Sequence, residues 1–453
     1  MLLGSTFAAS LDTVEVGGPH GTPTSTDATA IWWNPSGLAV GSTTSFSLEV
    51  APMWGSLTVD RDEPNGGSQT WSGASAVPFM GVAHSPRRGP SLGLALAIPY
   101  ARGGLEDARG VGSFSLREST VAAAYLSGAI AWDPHPNISV GGALSGVGGI
   151  WSSTVDMDTV PDLHQSLLEM GETSPYTDAD LEDPQYAATA QFQELTATAL
   201  TGAVGVNVGN DLVTLGVAYH HGATLDHRGK AEIQFGCPPA DDEIGRFGAE
   251  SKGVCHTRVV ADARAVYHLP SRVHIGLAIT PREGLRLEAM GGWVGWAAHD
   301  SFDITLSNIA ENNPGVDAKT AESIEGDRPK AVNGQNAVFG GVDVKLEPRP
   351  AWTVGGRLLY DQASVPDHML SPSNADFDSL RVTAMTGVQI RPGIELAASL
   401  TQVVSAPRST DSSALWVTLD TNAKADEGYQ YPHGNGTYKS SMSRAGINLR
   451  VSR

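Results

Sequence analysis

Along most of the chain, apolar and polar residues alternate with a period of two. In 380–391, Leu380, Val382, Ala384, Val388 and Ile390 share one face, and Arg381, Thr383, Gln389 and Arg391 share the other. In 394–401, Ile394, Leu396, Ala398 and Leu400 oppose Glu395, Ser399 and Thr401, and Pro392-Gly393 between the two segments reads as a tight turn. Trp352, Val354, Leu358 and Tyr360 oppose Thr353, Arg357 and Asp361, while Leu285, Leu287, Ala289 and Trp293 oppose Arg286 and Glu288. Successive side chains of a strand point to opposite faces, so each such segment is a strand with one apolar face. In 259–279 the odd positions run from Val259 to Ile279 and are almost all apolar, whereas the even ones include Asp262, Arg264, His268, Arg272 and His274. That parity survives Pro270, which predicts one long strand with a local distortion where proline cannot donate to the ladder.

The same reading places strands near 45–58, 75–86, 91–100, 115–132, 138–151, 195–208, 212–225, 259–279, 285–305, 337–347, 352–363, 379–391, 394–404 and 440–451. Short turns at 85–90, 133–137, 209–211, 281–284, 347–350 and 392–393 alternate with long links at 153–193, 226–257, 306–336, 364–378 and 405–438. Strands of about 9–11 residues, an even strand number and short turns on one side with long loops on the other are the signature of a membrane barrel. The expected fold class is therefore all-β, a transmembrane antiparallel β-barrel of about 14 strands. A large soluble sandwich would not sort its loops so regularly, and no repeat of about 40 residues supports a propeller.

Composition agrees with this expectation. Of 453 residues 17% are charged and 41% hydrophobic, with 52 Gly and 10 each of Trp, Tyr and Phe, which suits strands with one wet face. No apolar run of about 18 residues or more suggests a helical span. The formal net charge of −20 would repel nucleic-acid phosphates, and the acidity collects in loop-like stretches that read as solvated. Cys237 and Cys255 share one Gly/Pro/Asp-rich segment, where they are either a loop-stapling disulfide or two free thiols. A metal site with His256 and Asp241 lacks the usual ligand spacing, so no metal or cofactor is expected. Residues 1–10 read as the possible end of a secretory leader, with small residues at Ala8, Ala9 and Ser10.

Residues 11–43 do not alternate, and precede a barrel of residues 44–453. Within them stands the run Asp27-Ala28-Thr29-Ala30-Ile31-Trp32-Trp33-Asn34-Pro35-Ser36-Gly37-Leu38-Ala39. It resembles the N-terminal hatch of the FadL/TodX outer-membrane transporters, whose hallmark is an Asn-Pro-Ala turn after an aromatic; Ser36 stands here in place of that Ala. Weaker likenesses run through the chain: Ile98-Pro99-Tyr100 with Gly103, Leu269-Pro270 with Gly276, Pro281 and Trp296, Ser364-Val365-Pro366-Asp367 before Asp376 and Arg381, and Asn435-Gly436-Thr437-Tyr438. Barrels of this kind commonly close on an aromatic residue read during assembly; this chain closes on Leu449-Arg450-Val451-Ser452-Arg453.

The resemblance implies a bacterial outer-membrane channel for passive uptake of long-chain fatty acids or other hydrophobic small molecules. Ligand would be captured by outer loops, bound in the lumen and released sideways at a kinked third strand. It implies a hatch with Asp27 in its run, Asn34, Pro35 and Ser36 in its turn, and Trp32 and Trp33 packing it to the wall, or simply filling space. Pro99, Tyr100 and Gly103 would mark the exit, or an ordinary strand end. Arg264, Arg357 and Arg381, on expected lumen faces, are placed to bind a carboxylate head by charge-assisted bonds or to pair with Asp262, Glu288, Asp361 or Glu395. Leu163, Leu167, Leu168 and Met170 would form an apolar capture helix, or pack a loop. Expected partners are the hydrophobic ligand, outer-membrane lipid and lipopolysaccharide, and the barrel-assembly machinery, with the chain a monomer. Competing readings are an aromatic-hydrocarbon channel, an open porin, and an outer-membrane lipid hydrolase. The last lacks a nucleophile motif beside His220-His221, His227 or His268, so no enzyme activity is expected.

Overall fold

A strand with one apolar face also carries a row of backbone donors and acceptors along each edge, and lipid satisfies none of them. Closing the sheet on itself pairs every edge. The computed structural model describes residues 15–41, 44–62, 66–86, 89–102, 110–158, 187–235, 258–316, 318–418 and 434–453, with isolated positions between 160 and 183 and at 430–432. Fourteen antiparallel staves close in chain order: β1 (Thr44–Arg61), β2 (Gly67–His84), β3 (Ser91–Arg102), β4 (Glu118–His135), β5 (Ile138–Asp158), β6 (Ala187–Gly209), β7 (Val213–His220 then Ala223–Phe235), β8 (Arg258–Leu269 then Arg272–Arg282), β9 (Leu285–Val294 then Ser301–Ser307), β10 (Gly326–Ala331 with Ala337–Arg349), β11 (Trp352–Asp361), β12 (Ser379–Arg391), β13 (Ile394–Ser405) and β14 (Gly436–Ser452). Pairing of β14 with β1, from Ser45↔Ser452 to Arg61↔Gly436, completes the ring.

Each stave overlaps the stretch where the alternation placed it, but the upper part of β7, to Phe235, and the Gly326–Ala331 part of β10 lie in segments expected to be long links. Several run on well beyond the lipid: β5 has 21 residues and β6 has 23, about twice what a bilayer requires. The tight turns gather at one end, and four of them hold a residue at positive φ, Gly89 (φ 100), Gly284 (φ 75), Ala351 (φ 69) and Gly393 (φ 78), three of these being glycine. Around the outside, Leu94, Leu126, Leu144, Leu277, Leu358 and Leu400 are exposed, an apolar band of the kind that faces lipid in membrane barrels.

One expectation is corrected. Pro270 does interrupt the long strand, but the alternation does not keep its orientation across it. Val259, Ala261, Ala265 and Tyr267 point into the barrel, whereas beyond the break Arg272 and His274 point in and Ile275 and Leu277 point out. The ladder of β7 with β8 keeps its register across the break but skips two residues on each side, passing from Ala223↔Leu269 to His220↔Arg272. An unbroken strand would set Arg272 on the face opposite Leu269, so the unpaired residues of both strands turn the chain over and bring Leu269 and Arg272 to the same face. Arg264 therefore lies outside the lumen, half exposed, with Asp226 as its partner at 2.7 Å. The reversal tracks a change of surroundings. Beside the break, the outer face turns from Leu215, Ile275 and Leu277 to Asp226, Arg228, Lys230, Asp262 and Arg264, from lipid to water.

Residues 15–41 fill the barrel. They form a single helical turn at Gly18–His20 and two short helices, α1 (Ala30–Trp33) and α2 (Gly37–Val40), all largely buried. Helices of four residues are unstable alone, so the barrel wall holds them in shape.

Candidate functional site

The plug is fixed to the wall by two kinds of contact. On one side they are polar. Arg444 of β14 donates to Glu15 (2.9 Å), to the Glu15 carbonyl (3.1 Å) and to Glu49 of β1 (2.6 Å), with all three side chains buried. Thr383 of β12 donates to the same Glu15 at 2.9 Å. Burial opposes ionisation of Glu15, but Arg444, Arg381 and Arg357 outweigh it and hold the carboxyl below its usual range. Burial, with Lys345 and Arg450 nearby, pushes His20 down to about 3, so the imidazole is neutral.

Arg357 and Arg381 are buried in the lumen, as the alternation required. Arg357 pairs with Asp343 at 3.0 Å and donates to the Gly21 carbonyl of the plug, while Arg381 pairs with Asp361 at 2.8 Å. Asn34 is completely buried. Its amide donates to Pro23 and Val206 carbonyls and to the Asn207 side chain of β6, and its oxygen accepts from the Ser36 hydroxyl at 2.7 Å. Ser36 thus adds a bond that an alanine could not, while Pro35 starts the turn between α1 and α2. Asp27 accepts from the Thr29 amide at 2.9 Å ahead of α1, and Trp33 ties the plug's own ends together by donating to the Val16 carbonyl at 2.7 Å.

On the other side the contacts are mainly apolar, with one polar bond where β2 turns into β3, from the Ser85 hydroxyl to the Leu38 carbonyl at 2.6 Å. Ile31 and Leu38 pack on Gly93 of β3, where a Cβ would meet Ile31 Cδ1 at 2.7 Å, and Trp32 meets Tyr125 of β4 edge-on with ring centroids 5.3 Å apart. From there a file of rings climbs the lumen: Tyr125 to Tyr100 (6.0 Å), Trp296 (6.4 Å), His299 (6.3 Å), Tyr267 (4.3 Å), Phe302 (6.0 Å), Trp151 (4.9 Å) and Phe192 (4.9 Å). These spacings are those of edge and offset aromatic pairs. Arg272 sits at the foot of the file, its guanidinium 5.2 Å from the Trp32 ring and 5.1 Å from the Tyr100 ring, and it donates to the Tyr100 hydroxyl.

Tyr100 also stands beside an interruption in the wall. β2 pairs with β1 over its whole length, but with β3 only from Phe79↔Ala97 to His84↔Leu92. A bulge in β3 then occurs between Ala97 and Tyr100, spanning Pro99. Proline removes a ladder donor and a bulge turns the strand aside, which leaves Gly67–Pro78 of β2 without a β3 partner. Gly103 lies outside the described residues, as do Cys237, Cys255, Leu163, Leu167 and Met170; Leu168 is described and exposed.

No known family model matches this sequence, and no curated protein matches it. Its structure is similar to that of a Pseudomonas aeruginosa FadL homologue, with a TM-score of 0.74 at 14% identity, covering 99% of each chain. It is also similar to the toluene transporter TbuX of Ralstonia pickettii (TM-score 0.63, 13% identity, 99% and 98% covered) and the toluene transporter TodX of Pseudomonas putida (0.65, 13%, 99% and 98%). The chain thus has the plugged, fourteen-stranded barrel fold that these transporters share.

Proposed function

We propose that this barrel is a passive outer-membrane channel through which hydrophobic small molecules pass, leaving sideways between β2 and β3. The observation that carries this reading is the file of rings, which runs from Trp151 and Phe192 near the loops to Tyr100 at the interrupted wall. An apolar molecule gains nothing from a watery pore. Each methylene kept out of water on leaving sideways is worth about 0.8 kcal/mol, and ring faces give weak, evenly spaced stations. The fold's likeness to the FadL homologue and the toluene transporters supports the same reading.

A second ligand class has its own support. Arg357 and Arg381 are committed to Asp343 and Asp361, which leaves them poorly placed to greet a carboxylate and favours neutral aromatic hydrocarbons over fatty acids. Whole-cell uptake of radiolabelled oleate and of toluene tests both, comparing wild type with Trp151→Ala and Tyr267→Ala. Loss of at least fivefold in either ligand supports the file as the path. Full uptake in both variants, with the protein folded, removes its basis.

A further inference from the structure

A second interruption lies four staves further round the barrel from the first, between β6 and β7. The ladder of β6 with the lower part of β7 ends at Ala203↔His220, and that with the upper part resumes at Thr196↔Arg228. Between them, 197–201 of β6 and 222–227 of β7 make no ladder pairs with each other, though β6 stays paired with β5 and β7 with β8. Side chains finish these edges. The Thr201 hydroxyl lies 2.7 Å from the His221 carbonyl and 3.2 Å from that of Gly222, while Ser271 accepts from the Gly222 amide at 2.9 Å. The Thr201 bonds cross the seam, as does one from the His221 amide to the Gly202 carbonyl at 2.9 Å. A hydroxyl and a single backbone bond thus hold this stretch shut where a ladder would otherwise do so, and fewer backbone groups lose a partner when it parts.

Behind this seam is a cavity of about 20 Å³, the size of one water. Thr201, Gly202, His221 and Pro270 bound it on the seam side, and Trp32 and Tyr100 on the other. The seam therefore reaches the foot of the ring file directly. It sits at the level where the outer face changes from Leu215 and Ile275 to Asp226 and Arg228, and Leu200 beside it is 75% exposed, so it opens at the outer edge of the lipid.

We infer that the β6–β7 seam is a lateral entrance, through which hydrophobic molecules already dissolved in the outer leaflet reach the ring file without passing the loops. This rests on the transport reading above and adds a source of ligand to it. The cavity is too small to hold a ligand at rest, so passage displaces Leu225 and His227, whose side chains lie behind the seam against Gly149.

The test bridges the seam. Continuing the Thr196↔Arg228 register sets Leu200 opposite Thr224, both exposed on the outer face. Leu200→Cys and Thr224→Cys, in a Cys237→Ser and Cys255→Ser background, are joined by a bis-maleimide with a cleavable disulfide spacer in proteoliposomes. A diazirine-bearing long-chain hydrocarbon dissolved in the lipid is photolysed, and labelling of the peptides containing Trp32 and His220 is read by mass spectrometry. Bridging is expected to cut that labelling at least fivefold and cleavage to restore it, with labelling of Leu277 and Leu400 unchanged throughout. Because the bridge is reversible, the same molecules serve as their own folding control. Interior labelling that ignores the bridge, or is absent before bridging, overturns the inference. Whole-cell uptake is scored separately: a barrel that labels through the seam yet takes up nothing supports the opening while sinking the transport reading.

Discussion

Replacing Arg444 with Met should loosen the plug without opening the barrel. The guanidinium stands between Glu15 and Glu49, at 2.9 and 2.6 Å, and no more than 5% of any of the three side chains is exposed. Removing one partner of a buried ion pair leaves charge uncompensated and costs about 3–5 kcal/mol. Here two carboxylates are left facing each other. Part of the cost falls on the β1–β14 wall through Glu49, but Glu15 belongs to the plug and is released by moving it. At about 1.4 kcal/mol per tenfold, the population with a displaced plug rises roughly a hundredfold to a few thousandfold. Planar-bilayer recordings read this as frequent openings in R444M where wild type is quiet. Adding Glu15→Gln and Glu49→Gln to R444M removes the stranded charges and should restore quiet, since a buried triad replaced as a unit is often neutral. An R444M barrel that stays as closed as wild type, or a triple variant that leaks as much as the single one, refutes the plug's anchoring by this triad.

Asn34→Ala deletes the amide that meets Val206, Asn207 and Pro23. At about 1–3 kcal/mol per buried group left unpaired, hydrogen exchange of residues 24–41 should quicken while that of β6 does not. Ser36→Ala removes one bond, to Asn34, and should shift the same exchange by about tenfold or less. Acid should loosen the plug. Glu15 is held below its ordinary 4.5, so its stabilisation is present above that value and lost as pH falls. His20 is held near 3 against an ordinary 6.5, so the unfolded plug gains a proton the folded one refuses between those values, and stability falls from pH 6.5 downward. Conductance should therefore rise on acidification from pH 7 to 4, and His20→Gln should flatten the part above pH 4.5.

The barrel was legible because a period of two is a local signal: Leu380, Val382 and Ala384 declare their face without reference to any other strand. The same signal carries no absolute phase. At Pro270 the sequence continues apolar on odd positions while the chain turns over, so Arg264 reads as facing the lumen and points into water instead. The upper part of β7 reads as a loop for the same reason, since its apolar Leu225, Ala231 and Ile233 face in while the outer face is charged. The hatch run was legible as a motif, and Ser36 as a substitution within it, though not the bond it makes. Arg272 went unmarked among other even-numbered polar residues. Only the distance between Trp32 and Tyr100, 68 residues apart in sequence, gives it a place. The ring file escaped the sequence altogether, because its members come from six staves and their spacing exists only when the sheet closes.

The two sides of the plug bear on how a ligand gets past it. Its ionic and hydrogen-bonded contacts reach β11 to β14, β9 through Arg286 and Thr24, β8 through His274 and the Trp33 carbonyl, β6 through Asn34, and the turn after β2 through Ser85 and the Leu38 carbonyl. Toward β3 to β5, beside the interrupted wall, Ile31, Trp32 and Leu38 meet Gly93 and Tyr125 by apolar contact. Sliding past an ion pair exposes charge at several kcal/mol a time, whereas apolar surfaces that stay in contact slide at little cost, since dispersion has no preferred direction. A plug built this way does not travel as a piston. It stays clamped along its polar side as a fixed floor, and yields only along the side where Trp32 and Tyr100 meet, next to the place where β3 leaves β2.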